Sequence, residues 1–162
     1  MLKIAPLLRL TYIFLAGRRG TYKKKEQHGG QKMKKAAILG GIGPESTIDY
    51  YRGIIEAFRD SYQQIGYPEI LIDSLNLKEV ISMAEKNMWD DLASLMASHF
   101  ESLRTCGADF GVIASNTPHK VFEKIQQKTR LRLISITSET CEHVLRKNLK
   151  KICLLGTKFT ME

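Results

Sequence analysis

From Met33 onward, short apolar runs alternate with longer stretches whose apolar residues recur every three or four positions. The runs "KAAILGG" (35–41), "EILIDSL" (69–75), "DFGVIAS" (109–115), "LRLISI" (131–136) and "KICLLGT" (151–157) have the length and continuity of buried strands. Between the first two, "ESTIDYYRGIIEAFRD" places Ile48, Tyr51, Ile55 and Phe58 at helical spacing, with Pro44 and then Glu45 or Ser46 at the start. The strongest helical pattern is "MWDDLASLMASHFESLRTCG" (88–107). Trp89, Leu92, Leu95, Met96, Phe100 and Leu103 share one face there, and Gly107 closes it. "PHKVFEKIQQKT" predicts a helix with Pro118 in its first turn, and "TSETCEHVLRKNL" predicts another. This β–α alternation predicts an α/β fold. It is a parallel sheet of Rossmann-like or flavodoxin-like type, with helices on both faces and right-handed crossovers.

Charge divides the chain in two. Of the net charge of +8, +7 falls in residues 1–32, which carry eight lysines and arginines against Glu26 alone. The body, 33–162, is nearly neutral, which argues against a nucleic-acid partner for the domain itself. The leader "MLKIAPLLRLTYIFLAGRRGTYKKKEQHGGQK" is broken by Arg9 and lacks a cleavage pattern, so it reads as neither a signal peptide nor a membrane span. A basic arm for a membrane surface or nucleic acid is one reading of it. The preferred expectation is that the native chain starts at Met33 and that residues 1–32 are an over-extended reading of the gene. Three cysteines at long spacings, with no CxxC, argue against a disulfide framework or a zinc site. They point to a reducing cytoplasm, with each cysteine expected as a small buried hydrophobe.

In an open parallel sheet, ligands sit beyond the carboxyl ends of the strands. The segments there are "GGIGPEST", "SLNLKE", "SNTPHK", "TSET" and "GTKFT": small residues, hydroxyls and amides, with no metal-binding cluster. The first could cradle an anion, but a dinucleotide fingerprint needs glycine where Ser46 stands. "SNTPHK" offers the Asn116 amide, the Thr117 hydroxyl and the N–H groups of the following helix, a set suited to a carboxylate. The plainer alternative is a strand-to-helix turn in which Thr117 caps the helix ahead of Pro118. His119, in the first helical turn, reads as a packing or surface histidine ahead of a catalytic one.

Four segments, "ILGGIGPESTIDYYR" (38–52), "SLNLKEV" (74–80), "CGADFGVIASNTPHKV" (106–121) and "LLGTKFTME" (154–162), together resemble the aspartate/glutamate racemase superfamily, and most closely its aspartate racemase and broad-specificity branch. The resemblance covers essentially all of 33–162 and implies the first of two α/β lobes. It also implies cofactor-independent racemisation of an amino acid, aspartate or glutamate by family, through α-proton abstraction and reprotonation by one cysteine from each lobe. The family pattern would place Ile42, Ser115, Asn116, Thr117 and Thr157 against the substrate, with no metal and no cofactor. Two departures stand out. Ser115 occupies the position of the first-lobe cysteine, as a hydroxyl residue does in some broad-specificity members, so its expected role is proton donation on one face, directly or through water, or simple substrate hydrogen bonding. The second lobe, with its cysteine, has no counterpart here, so low activity alone is expected. A lobe face made for a partner would favour association, a homodimer included. The alternative from another class is a non-catalytic remnant that binds a small ligand or, through the leader, nucleic acid.

Overall fold

A computed structural model describes residues 33–61, 67–153 and 156–161, so the leader lies outside the described residues. Four parallel strands, β1 (Ala36–Gly40), β2 (Ile70–Ser74), β3 (Phe110–Ile113) and β4 (Leu133–Ile134), form one sheet in the order β2-β1-β3-β4. Ala36 pairs with Ile70 and Phe110, and Gly40 with Ser74. Gly111 pairs with Leu133 and Val112 with Ile134. The strands therefore end along one edge of the sheet, where the segments after Gly40, Ser74, Ile113 and Ile134 emerge together.

Strand alternation sends successive side chains to opposite faces, and each face has its own core. On one, Ala37, Leu39, Ile113 and Leu133 pack with α2 (Leu77–Glu85), α3 (Trp89–Thr105) and α4 (Phe122–Lys128). On the other, Ala36, Ile38, Phe110, Val112 and Ile134 pack with α1 (Pro44–Ser61) and with Ile136, the first residue of α5 (Ile136–Arg146). Helices thus cover both faces, as the alternation predicts. The face of α3 matches its pattern closely, with Leu92, Met96, Phe100 and Leu103 buried and Ala93 and Ala97 added.

Three expectations are corrected, and one helix is added. In α1 the buried stripe is Thr47, Tyr50, Ile54 and Phe58, whereas Ile48 and Tyr51 are 56% and 46% exposed. Both stripes have helical spacing, and only the sheet decides which is covered. The segment 77–85, to which the apolar pattern assigns no element, is a helix capped by Asn76, whose side chain accepts from the Lys78 N–H at 3.0 Å. The three cysteines are exposed. Cys106 lies at the C-cap of α3, and Cys141 lies on α5, whose single buried residue is Ile136. The fifth strand is not formed by 151–153 or 156–157, and Leu154 and Leu155 lie outside the described residues. A strand needs a partner, and β4 pairs over only two residues. Beyond it, Thr157 leads into a single turn, α6 (Lys158–Met161).

Candidate functional site

The glycines after β1 are consumed by close packing. A side chain on Gly40 would meet the Thr47 hydroxyl at 2.3 Å, and one on Gly41 would meet the Leu75 carbonyl at 2.3 Å. Gly41 also has φ +78°, which disfavours any side chain there. Its N–H donates to the buried Thr47 hydroxyl at 3.0 Å, and the Gly40 carbonyl accepts from the Leu75 N–H at 3.0 Å. This loop is stitched to α1 and to the end of β2, and the Gly41 amide is not free to hold a phosphate. Ile42 follows with its side chain in the core on the α3 side of the sheet, 9% exposed.

Next to it, β3 continues through Ala114, whose N–H bonds the Leu39 carbonyl at 2.9 Å. The chain then turns through Ser115, Asn116 and Thr117. The helix expected after them begins as a 3-10 turn (Thr117–Val121) and becomes α4 only at Phe122. Asn116 is its N-cap residue but makes no capping bond with its side chain. Nor does Thr117 cap the turn. Its hydroxyl lies 3.2 Å from that of Thr157, which lies 3.1 Å from that of Thr160. Pro118 has no N–H, and the His119 N–H is spent on the Asn116 carbonyl at 2.9 Å. The turn therefore offers fewer amides than the expected α-helix start. Among the described residues, the Ser115 hydroxyl and the Asn116 side chain make no internal hydrogen bond, which leaves both for a ligand.

The structure thus brings Ser115, Asn116, Thr117 and Thr157 to one place, with Ile42 at the end of the neighbouring strand. A second link fastens 157–161 to this place. Trp89 and Phe159 meet edge to face at 5.3 Å, and the Lys120 ammonium lies 5.0 Å from the Trp89 ring centre and 5.7 Å from that of Phe159.

His119 uses both ring nitrogens internally. Nδ1 is 2.8 Å from the Ser115 carbonyl, so Nδ1 carries the proton and donates. Nε2 accepts from the Ile136 N–H at 3.2 Å. The ring stacks on Phe122 at 5.3 Å. Desolvation pushes its pKa down to about 4, against the opposing pull of the Ser115 carbonyl. It is a neutral strut with no nitrogen left for a reacting proton. The reach to Ile136 crosses seventeen positions and carries no motif. Equally unmarked in sequence is the pairing of Asp73, on β2, with His99 of α3 at 2.7 Å. After β4, Ser135 caps α5 through its hydroxyl, which accepts from the Ser138 N–H at 3.2 Å and meets Thr137 at 2.8 Å. No group of three or more histidines, cysteines or acidic residues suited to a metal ion occurs among the described residues.

Comparison with known proteins accords with this arrangement. The family profile for Asp/Glu/hydantoin racemases matches residues 39–162. The broad-specificity amino-acid racemase RacX of Bacillus subtilis is 27% identical over 128 residues, which are 77% of this chain and 55% of RacX. Among solved structures, a candidate Asp/Glu racemase from Yersinia pestis superposes with a TM-score of 0.74 at 33% identity. An aspartate racemase homologue from Pyrococcus horikoshii gives 0.71 at 37%. Each match covers 80% of this chain and 56% of the solved one. The chain therefore spans about half the length of the relatives it matches. With the profile covering both the turn after β3 that carries Ser115, Asn116 and Thr117 and the segment that carries Thr157, the chain belongs to the Asp/Glu/hydantoin racemase family.

Proposed function

We propose that this chain is the first, substrate-holding lobe of a cofactor-independent amino-acid racemase for aspartate or glutamate. The observation that carries the reading is the Ser115–Asn116–Thr117 turn, with the Ser115 hydroxyl and Asn116 amide uncommitted at the mouth of the sheet. In the proposed reaction a base removes the α-proton from one face of the amino acid, and the electron pair moves into the carboxylate. A proton then returns to the α-carbon from the opposite face. The growing charge on the carboxylate needs fixed donors, which Asn116 and Thr117 supply. Ser115 gives or relays the proton on its side. A serine hydroxyl is a poor base without an activating partner, and both nitrogens of the nearby His119 are occupied. The opposing base therefore comes from outside this lobe, from a second lobe or from a second copy of the chain facing it. A reducing cytoplasm suits an enzyme whose described cysteines are all unpaired.

The test is exchange of the α-proton of aspartate and glutamate in heavy water, followed by NMR. Exchange of either amino acid above the buffer rate that is lost in Ser115→Ala supports the proposal, and a rate at the buffer level with both counts against it. A second reading, nucleic-acid binding, has the basic leader in its favour. It requires salt-sensitive binding that disappears on deleting residues 1–32.

A further inference from the structure

Histidine 119 sits between the two strand ends that flank the proposed site, and its contacts are directional. In a trans peptide the carbonyl and the following N–H point opposite ways. Holding the Ser115 carbonyl at 2.8 Å from Nδ1 therefore fixes where the Asn116 N–H points. That N–H makes no hydrogen bond among the described residues, and it lies on the side of the peptide away from the imidazole. At the other end of the ring, Nε2 takes the Ile136 N–H at 3.2 Å. That amide belongs to the first turn of α5, where helical N–H groups have no partner within the helix. One side chain thus ties the turn after β3 to the start of the helix after β4. The backbone bond from the His119 N–H to the Asn116 carbonyl and the stack on Phe122 hold the ring in place.

We propose that His119 is a positioning residue, which aims the Ser115–Asn116 peptide so that the Asn116 N–H and side chain converge on the substrate carboxylate. The aim toward a carboxylate rests on the racemase reading, and the fixed peptide direction does not. Neither nitrogen exchanges a proton with substrate. The two links are separable by substitution. Asparagine places an amide where Nδ1 stands and keeps the donor to Ser115. Glutamine reaches the place of Nε2 and keeps an acceptor for Ile136.

The experiment uses the full chain labelled with nitrogen-15, as wild type, His119→Asn, His119→Gln and His119→Ala, titrated with L-aspartate and L-glutamate. His119→Asn is expected to keep the wild-type Asn116 amide shift, to hold ligand affinity within about threefold, and to lose exchange protection at Ile136. His119→Gln is expected to keep Ile136 protected, to shift the Asn116 amide, and to weaken binding about tenfold, the scale of a hydrogen bond to a charged group. The alanine variant should show both losses. A folded His119→Gln or His119→Ala protein with an unchanged Asn116 resonance and unchanged affinity overturns the proposal. Should wild type bind neither amino acid, the substrate reading fails by itself, and the Asn116 shift still decides whether His119 directs the peptide. If the variants do not fold, imidazole nitrogen shifts of the wild type decide. A proton on Nε2 in place of Nδ1 overturns the assignment.

Discussion

A thiol at position 115 would ionise near pH 8.5, whereas a serine hydroxyl stays protonated across the working range of a protein. At this one atom the chain differs most from what proton abstraction asks for. Ser115→Cys is therefore expected to raise α-proton exchange on aspartate or glutamate at least about tenfold at pH 8, where about a quarter of such a thiol is thiolate, a far stronger base than a hydroxyl. The gain should vanish after iodoacetamide, and the parent protein, alkylated at its three exposed cysteines, should show no such loss. His119 makes a different prediction. Its folded-state pKa of about 4 lies below the ordinary 6.5, so between those values the unfolded chain binds a proton that the folded chain refuses. Its contribution to stability is intact above pH 6.5 and falls as pH drops toward 4, by on the order of 2–3 kcal/mol. Urea midpoints at pH 7 and pH 4.5 should differ by less in His119→Asn than in wild type.

At the scale of elements, the alternation of apolar runs was enough to place β1 to β4 in a parallel sheet covered on both faces. Which side of α1 the sheet covers was not legible. Ile48, Tyr51 and Ile55 form as good a helical stripe as Tyr50, Ile54 and Phe58, and periodicity has no means of choosing between two apolar stripes on one helix. Ile54→Ala should cost about 2–4 kcal/mol, as fully buried aliphatic truncations do, and Tyr51→Ala less than about 0.5 kcal/mol. Chemical denaturation of the two variants measures both, and equal costs would refute the assignment of faces. The site was half legible for a similar reason. Ser115, Asn116 and Thr117 are adjacent in sequence and fall at a strand end, so their grouping follows from topology alone. The links from Thr117 to Thr157 and from His119 to Ile136 span forty and seventeen positions. They are made only when separate segments are brought to the same edge. The helix at 77–85 is short, and its first residues resemble a turn, while the Asn76 side chain that begins it acts as a cap.

For the whole molecule, strand order has a consequence for behaviour at high concentration. Among the described residues the sheet ends on one side at β4, two residues long, and on the other at β2, five residues long. An unpaired five-residue ribbon with Ile72 46% exposed is a template on which another chain can add a strand and begin a fibril. Pro68 precedes this ribbon, and Asp73 places a carboxylate within it, held by His99 at 2.7 Å. A charge inside an edge strand and a proline beside it are the usual protections against such growth. Asp73→Val would leave Ile70, Leu71, Ile72 and valine as one uncharged, apolar tract, β-branched at all but Leu71. That variant should fold, by circular dichroism, and should bind thioflavin after a lag that shortens with protein concentration, while the parent stays clear. The Asp73–His99 pair then matters to this protein as the guard of its open margin, with solubility as its product.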